Sequence, residues 1–193
     1  SDNVCPWCYI GLGELDSVAK DYDLKIDWRP YMLRPDAPEE GWELPERFRA
    51  SHDDPNSPIN QRAQALGLPL KARTRIPNSR RAHECTEFAR SQGKEQAFHD
   101  SLITRYWSNA EDLHDWAVLE AAAKDAGLDG AQMKAEVEAG KWKQAVEEGV
   151  AAAHELGINA VPTFILGNKF AVQGAQSAQV FRQAFERLKS GLS

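Results

Sequence analysis

Two cysteines separated by a proline and a tryptophan stand near the start of the sequence, as Cys5, Pro6, Trp7 and Cys8. A Cys-x-x-Cys pair is typical of half a zinc site, of a structural disulfide, or of two thiols that exchange a disulfide with another molecule. The chain has 3 cysteines in 193 residues. Small proteins that are held together by disulfides are shorter and richer in cysteine. The pair therefore indicates either a site of thiol chemistry or a metal site.

The apolar spacing after the motif predicts a helix over residues 5–20 that begins at the cysteines. Side chains three apart share a helix face at a separation close to that of a disulfide, and Pro6 suits a first turn because no N–H is needed there. Unpaired N–H groups and the helix dipole stabilise a thiolate at this position. We therefore predict that Cys5, the outer residue, is a nucleophile of lowered pKa and that Cys8 resolves the mixed disulfide. Trp7 is expected to offer an apolar surface beside the exposed sulfur of Cys5.

A zinc site would need two further ligands besides the motif. Cys85 with His83 or His52 could complete four ligands, but the sequence has no second Cys-x-x-Cys and no spaced histidine pair. We therefore predict no metal, while a static structural disulfide stays open as a second alternative. Cys85 is interpreted as a small buried residue of a helix.

The composition limits the classes of partner. With 23 Lys and Arg against 29 Asp and Glu, the formal net charge is -6, which argues against general binding of nucleic acid or of an anionic membrane. No window resembles a membrane span, and residues 1–13 lack the pattern of a signal peptide. The sequence begins with Ser rather than Met, so we expect an incomplete N-terminus. A cytoplasmic location is predicted.

The pattern after the first helix predicts one strand, a row of helices, a hairpin and a last helix. Residues 24–29 alternate as a strand with one buried face does, and residues 41–77 are rich in turn formers. The predicted elements after residue 77 are helices at 82–91, 95–107, 115–126, 131–138 and 142–156, hairpin strands at 164–166 and 170–172, and a helix at 180–188.

Four segments carry a resemblance to a known family. They are CPWCYIG at 5–11, WRPYMLRPDAP at 28–38, NSRRAH at 78–83 and GINAVPTFILGNKFAVQGAQ at 157–176. Together they resemble the DsbA-like thioredoxin-fold oxidoreductases, and specifically the FrnE-like branch. The resemblance implies an α/β thioredoxin fold with an inserted all-helical domain. The thioredoxin-like part would comprise residues 1–40 and 157–193, and the helical insertion residues 41–156.

The resemblance also implies further site residues. Val161, Pro162 and Thr163 match a cis-proline loop that faces the motif and would hold the partner beside Cys5, with Pro6 and Trp7 contributing to the same surface. His83 matches a position near the active-site cleft, although a hydrogen-bonded structural histidine fits equally well. Such proteins have a strand immediately before the motif, whereas only residues 1–4 precede it in this sequence. That strand is therefore expected to be short, missing or supplied by another chain, as in a homodimer.

The predicted function is thiol-disulfide exchange with a disulfide- or thiol-bearing protein or small molecule. No cofactor is required, and glutathione is a candidate co-substrate. Two alternatives stay open. One is a glutathione-dependent isomerase or transferase of the kappa type, such as 2-hydroxychromene-2-carboxylate isomerase, which commonly has serine in place of Cys5. The other is a non-catalytic binding module or chaperone.

Overall fold

The computed structural model describes residues 1–191, and most of its regular structure is helical. Residues 192 and 193, at the end of the predicted range 157–193, lie outside the described residues. The elements in chain order are α1 (Pro6–Ala19), β1 (Trp42–Glu43), α2 (Glu46–Asp53), α3 (Pro58–Ala65), β2 (Arg75–Ile76), α4 (Arg80–Ser91), α5 (Glu95–Ile103), a π-helical turn (Thr104–Ser108), α6 (Trp116–Asp125), α7 (Gly130–Glu138), α8 (Lys143–Glu155), β3 (Thr163–Leu166), β4 (Phe170–Gln173) and α9 (Ala178–Lys189).

Helix α1 is surrounded by other elements and contributes to three apolar clusters. Tyr9 and Leu12 belong to the cluster formed with the helices after α3. Leu15 and Val18 belong to the cluster formed with the hairpin and α9, and Ile10 packs with residues of α3. A helix that is covered on all sides needs apolar residues all round rather than along one stripe. This surrounding fixes where the start of α1, and hence the cysteine motif, lies.

The predicted hairpin is confirmed. Strands β3 and β4 pair antiparallel, with Thr163 opposite Gln173 and Leu166 opposite Phe170. Gly167 and Asn168 have φ values of 56° and 55° in the connecting turn, a conformation that glycine and asparagine adopt most readily. The hairpin packs with α9 and the second half of α1 in one apolar cluster.

The predicted strand at residues 24–29 is wrong, because this segment makes side-chain contacts where a strand would make backbone pairs. The Trp28 N–H donates to Glu95 Oε1 at 3.3 Å, and the Trp28 carbonyl accepts from the Arg90 guanidinium. The one ladder-like contact lies at its end, where the Ser1 amino group donates to the Arg29 carbonyl at 2.9 Å and the Tyr31 N–H donates to the Ser1 carbonyl at 2.9 Å. The alternating pattern therefore reflects one buried face without a described neighbouring strand.

The row of helices over residues 80–155 matches the predicted helices closely, with one difference. The predicted helix at 95–107 is α5 only to Ile103 and continues as a π-helical turn over Thr104–Ser108. The segment 41–156 is also not purely helical, since the two-residue strands β1 and β2 pair within it. The division of the chain into a thioredoxin-like part and an insertion stays a prediction.

A buried carboxylate connects three helices below the motif. Glu14 of α1 accepts from Arg62 of α3 at 2.5 Å and from the Ala178 N–H, at the start of α9, at 2.8 Å. A carboxylate at the first N–H groups of a helix is favourable for both hydrogen bonding and the helix dipole. Glu14 therefore joins α1 to α3 and α9.

Among residues 1–191, no helix combines the length and the apolar character needed to cross a membrane.

Candidate redox site at the start of α1

The two cysteines of the motif begin α1, as predicted. Cys5 is the N-cap residue in an extended conformation, Pro6 is in the first turn, and the Cys8 N–H donates to the Cys5 carbonyl at 3.0 Å. Pro6 removes no hydrogen bond there, because the first N–H groups of a helix have no partner within it. Within the described residues Cys5, Cys8 and Cys85 are all free thiols.

The expectation of an exposed Cys5 sulfur is wrong. Cys5 and Cys8 are each 4% exposed, and the Cys5 thiol lies 3.8 Å from the carbonyl oxygen of Val161, to which it donates. The loop after α8 therefore covers Cys5. Sequence spacing could not reveal this contact, because the two residues are 156 positions apart.

The two thiols influence each other's ionisation. The hydrogen bond with Cys8, together with burial, raises the pKa of Cys5. Burial opposes ionisation of Cys8 as well, but the hydrogen bond with the Cys5 thiol contributes to a net lowering of the pKa of Cys8. The two thiols therefore titrate as an interacting pair rather than as two independent groups.

The loop of Val161, Pro162 and Thr163 packs directly against α1. The Val161–Pro162 peptide bond is cis. The Pro162 carbonyl accepts from the Gly174 N–H at 2.7 Å, and the Thr163 hydroxyl donates to the Ala160 carbonyl at 2.8 Å. The loop is thus fixed to the hairpin and to its own preceding turn.

Gly11 allows this close approach of α1 to the loop. A Cβ atom at Gly11 would lie 2.8 Å from Pro162 Cγ and 3.2 Å from the Phe164 ring, which is closer than carbon atoms pack. Gly11 therefore has a packing role, although glycine disfavours the interior of a helix.

The other predicted site residues lie on different sides of the motif. Trp7 is 39% exposed on the first turn of α1, while Pro6 is half-buried. His83 is buried in α4, with Nε2 3.7 Å from Asp2 Oδ1. Cys85 is fully buried in the same helix, and burial raises its pKa. Among the described residues, no group of three or more His, Cys, Asp or Glu is arranged to hold a metal ion.

Sequence reasoning missed Asp2 and Asn3, which come directly before the motif and are almost completely buried. Asp2 Oδ2 accepts the Leu33 N–H at 2.8 Å, and the Asn3 carbonyl accepts from the Trp107 indole at 3.2 Å. The sequence feature that could have pointed to Asp2 is a carboxylate three positions before the first cysteine, in a stretch too short for a strand. Buried charge of that kind is found where it is paired and hydrogen-bonded.

A cleft of about 600 Å³ lies elsewhere, between the 35–39 segment and the helices α4, α6, α7 and α8. Neither cysteine of the motif and none of residues 161–163 lines it. The cleft is thus separate from the motif.

Comparison with known proteins agrees with this arrangement. The sequence profile of the DSBA-like thioredoxin domain matches residues 1–186. The chain belongs to the DsbA-like thioredoxin-domain family. The predicted fold class is thereby confirmed: a mixed, helix-rich thioredoxin fold of the DsbA type. The comparisons do not separate the FrnE-like branch from the rest of the family.

Similar proteins cover nearly the whole of this DsbA-like chain. The uncharacterized protein YwbO of Bacillus subtilis is 27% identical over 95% of this chain and 92% of its own length. Among solved structures, the probable DsbA oxidoreductase SCO1869 from Streptomyces coelicolor has a TM-score of 0.87 at 24% identity, covering 100% of this chain and 88% of that one.

Two further structures share the fold and represent different reactions. A 2-hydroxychromene-2-carboxylate isomerase has a TM-score of 0.81 at 19% identity, covering 100% of this chain and 97% of that one. The cytosolic disulfide reductase DsbM from Pseudomonas aeruginosa, solved with GSH, has a TM-score of 0.71 at 14% identity, with coverages of 98% and 96%. The same fold thus occurs in proteins described as a probable DsbA oxidoreductase, a disulfide reductase and an isomerase.

Proposed function

We propose that this protein is a thiol-disulfide oxidoreductase of the FrnE-like branch, which exchanges disulfides through Cys5 and Cys8. The observation that carries the proposal is the pair of free, hydrogen-bonded thiols at the start of α1, with Cys5 against the Val161 carbonyl. Two neighbouring thiols at a helix start, where a thiolate is stabilised, are suited to disulfide exchange. The assignment to the branch rests on the four sequence segments quoted above.

The proposed reaction begins with proton transfer between the two thiols. The Cys5 S–H, which donates to the Val161 carbonyl in the structure, would turn towards Cys8 and give its proton to the Cys8 thiolate, which leaves a thiolate on Cys5. This thiolate attacks one sulfur of a substrate disulfide; a mixed disulfide forms and the other substrate sulfur leaves as a thiolate. Cys8 then loses its proton and attacks the Cys5 sulfur, so that the second substrate thiolate leaves and the motif is oxidised. Run backwards, the same steps oxidise a substrate dithiol.

The partner would dock on the surface formed by Pro6, Trp7 and the loop of Val161, Pro162 and Thr163. Trp7 offers an exposed apolar ring, and the Val161 carbonyl lies directly beside the attacking sulfur. An extended segment of a substrate could take over the hydrogen bond that this carbonyl accepts from Cys5. Since Cys5 is buried, docking has to uncover its sulfur.

Glutathione is proposed as a co-substrate that reduces the motif disulfide, and the protein is proposed to work in the cytoplasm. Support comes from the similar structure of DsbM, described as a cytosolic disulfide reductase and solved with GSH. No cofactor enters the proposed reaction. The predicted homodimer stays a prediction, to be decided by light scattering of the purified protein.

A second candidate is a glutathione-dependent isomerase of the 2-hydroxychromene-2-carboxylate type. Its support is the similarity of fold to such an isomerase along the whole of this chain. That reaction would use bound glutathione without net oxidation or reduction, so Cys8 would not be needed.

The deciding experiment is a redox titration in glutathione buffers with alkylation and mass analysis, on the wild type, Cys5→Ser and Cys8→Ser. We expect a reversible two-electron transition in the wild type and none in either variant. Incubation with a disulfide substrate should trap a stable mixed disulfide on Cys8→Ser, because Cys5 attacks and nothing resolves it. Trapping on Cys5→Ser instead would make Cys8 the nucleophile.

Other outcomes of this experiment would favour the alternatives. Saturable glutathione binding with isomerase turnover and no redox transition would support the isomerase. Unchanged client binding in the variant that lacks both thiols, without exchange in the wild type, would support a binding module.

A further inference from the structure

The cleft between the 35–39 segment and the helices α4, α6, α7 and α8 has the features of a second binding site. Its volume of about 600 Å³ lies within the range of ligand pockets in proteins. Its lining combines charged groups of both signs with the apolar surfaces of Pro35, Trp116 and Val137. Because no residue of the motif or of the 161–163 loop lines the cleft, a molecule bound there would not compete with thiol exchange.

Glu84 of α4 is the least expected residue of this lining. It is 7% exposed, yet its carboxylate makes no hydrogen bond and no ion pair with any residue of the range 1–191. Burial raises the pKa of Glu84, and the charges of Arg80 and Lys143 offset this only in part. Since buried carboxylates are normally paired, the free acceptor oxygens of Glu84 point to a donor that the chain itself does not supply.

Arg80 lies one turn before Glu84 on the same face of α4 and also lines the cleft. Its Nη1 atom is buried and has no hydrogen-bond partner among the described residues, because Glu147 Oε1, at 3.6 Å, is too far away for one. Residues at this helical spacing often form an ion pair, but Arg80 and Glu84 do not. Two opposite charges therefore face the same cleft close together and unpaired.

The other charged groups of the lining keep the total charge in balance. Arg81 donates to the Glu39 carboxylate, and its guanidinium lies 4.8 Å from the centre of the Trp116 ring, so these three side chains hold one another in place. Glu138 of α7 and Lys143 at the start of α8 are exposed. Within the part of the chain that the structure describes they form no ion pair, and they add one charge of each sign.

We propose that this cleft binds a small molecule that carries both an ammonium and a carboxylate group, as a free amino acid or a short peptide does. The ammonium group would donate to the Glu84 carboxylate, and the carboxylate would accept from Arg80. Arg80 is the first residue of α4, so that carboxylate would also lie at the positive end of the helix dipole. An apolar side chain of the ligand would pack against Trp116 and Val137.

A ligand with a single charge would fit less well. An anion would leave Glu84 without a donor, and a cation would leave Arg80 without an acceptor, in a site where unpaired polar groups are costly. The charge pattern therefore selects for a zwitterion.

The test is isothermal titration calorimetry of the reduced full chain with two zwitterionic probes, L-phenylalanine and the dipeptide L-alanyl-L-phenylalanine. The N-acetylated and the C-amidated form of each probe lack one of the two charges. We expect the wild type to bind at least one of the zwitterions, and to bind its singly charged forms about tenfold more weakly, because each has lost a charge-assisted hydrogen bond. The tighter of the two probes decides between amino acid and peptide.

Variants of the chain locate the binding. Glu84→Gln and Arg80→Gln should each weaken binding of the zwitterion about tenfold, and Glu84→Gln should remove most of the difference between the probe and its N-acetylated form. Glu148→Gln is the matched control, since Glu148 is an exposed carboxylate of α8 outside the lining; it should stay within about twofold of the wild type.

Urea unfolding without ligand separates a binding role of Glu84 from a structural one. Glu84→Gln removes a buried charge that has no partner, so the free energy of unfolding should not fall. A marked fall would show that Glu84 stabilises the fold and would count against the inference.

Four other results would overturn the inference. They are no binding of either probe to the wild type at millimolar concentration, equal binding of the probes and their singly charged forms, binding that both cleft variants leave unchanged, and binding that is lost in Cys5→Ser, which would place the molecule at the motif. The inference does not depend on the proposed function, so a wild type without thiol exchange would leave it standing.

Discussion

The loop of residues 161–163 packs against one side of the cysteine motif, and residues 1–4 together with α4 pack against the other. The two sides make different kinds of contact. On the loop side the contacts are the hydrogen bond from the Cys5 thiol to the Val161 carbonyl and the close approach of Gly11 to the Pro162 ring. On the α4 side they are buried polar side chains, of which Asp2 and His83 are the clearest. We therefore expect the loop to control access to the Cys5 sulfur, and the α4 side to influence the ionisation of the motif.

Among the substitutions that test this comparison, Gly11→Ala is expected to lower the free energy of unfolding most. The added methyl group would lie 2.8 Å from the Pro162 ring, which cannot rotate away, and overpacking of this kind costs about 1–3 kcal/mol. The free energy of unfolding, measured in urea on the reduced protein, should fall by about that amount, and the exchange rate should fall with it.

Gly13→Ala is the matched control for this substitution. A Cβ atom there would lie 2.5 Å from Leu68 Cδ1, the end of a flexible side chain that can move, while alanine also favours the helix by about 1 kcal/mol. We expect a change within about 1 kcal/mol. Equal destabilisation by both substitutions would show that the loop contact has no special role.

A smaller effect is expected from His99→Phe, in helix α5, which packs against α4. His99 is buried against the Trp28 ring, with 3.6 Å between ring centroids, and burial lowers the pKa of His99 to about 3. As pH falls below about 6.5, the unfolded chain takes up a proton that the folded protein does not. The free energy of unfolding should therefore fall as pH falls towards 3, by about 1–2 kcal/mol between pH 6.5 and 5.

Phenylalanine keeps the stacking and has no proton to gain, so the variant should lose this part of the pH dependence. Urea unfolding of both proteins at pH 7 and pH 5 measures it. Identical pH dependences would mean that His99 does not stay neutral in the folded protein.

The smallest effect is expected from Thr163→Val, on the loop side. It removes the hydroxyl that donates to the Ala160 carbonyl at 2.8 Å, in a half-buried position where one such bond contributes about 0.5–1.5 kcal/mol. Thr163→Ser keeps the hydroxyl and should be closer to the wild type in urea unfolding. A loss larger than that of Gly11→Ala would mean that polar contacts, rather than steric ones, hold the loop.

Local patterns were sufficient for most elements of the fold. The helix that begins at Cys5, the hairpin around Gly167 and Asn168, and the row of helices from α4 to α8 all depend on short-range periodicity and turn residues, which a single sequence contains. The alternating segment 24–29 misled because alternation reports a buried face, whereas a strand needs a partner backbone. The π-helical turn after Ile103 left no recognisable signal.

The sequence by itself determined that two thiols meet at a helix start, because three residues of spacing and a proline suffice for that. Only the tertiary structure decided that Cys5 is covered by the Val161 carbonyl and that Asp2 is buried against His83. These features depend on burial and on charges brought together from distant segments. The ionisation of a thiol depends on burial and on nearby charges. Neither can be inferred from the residues next to it in the sequence.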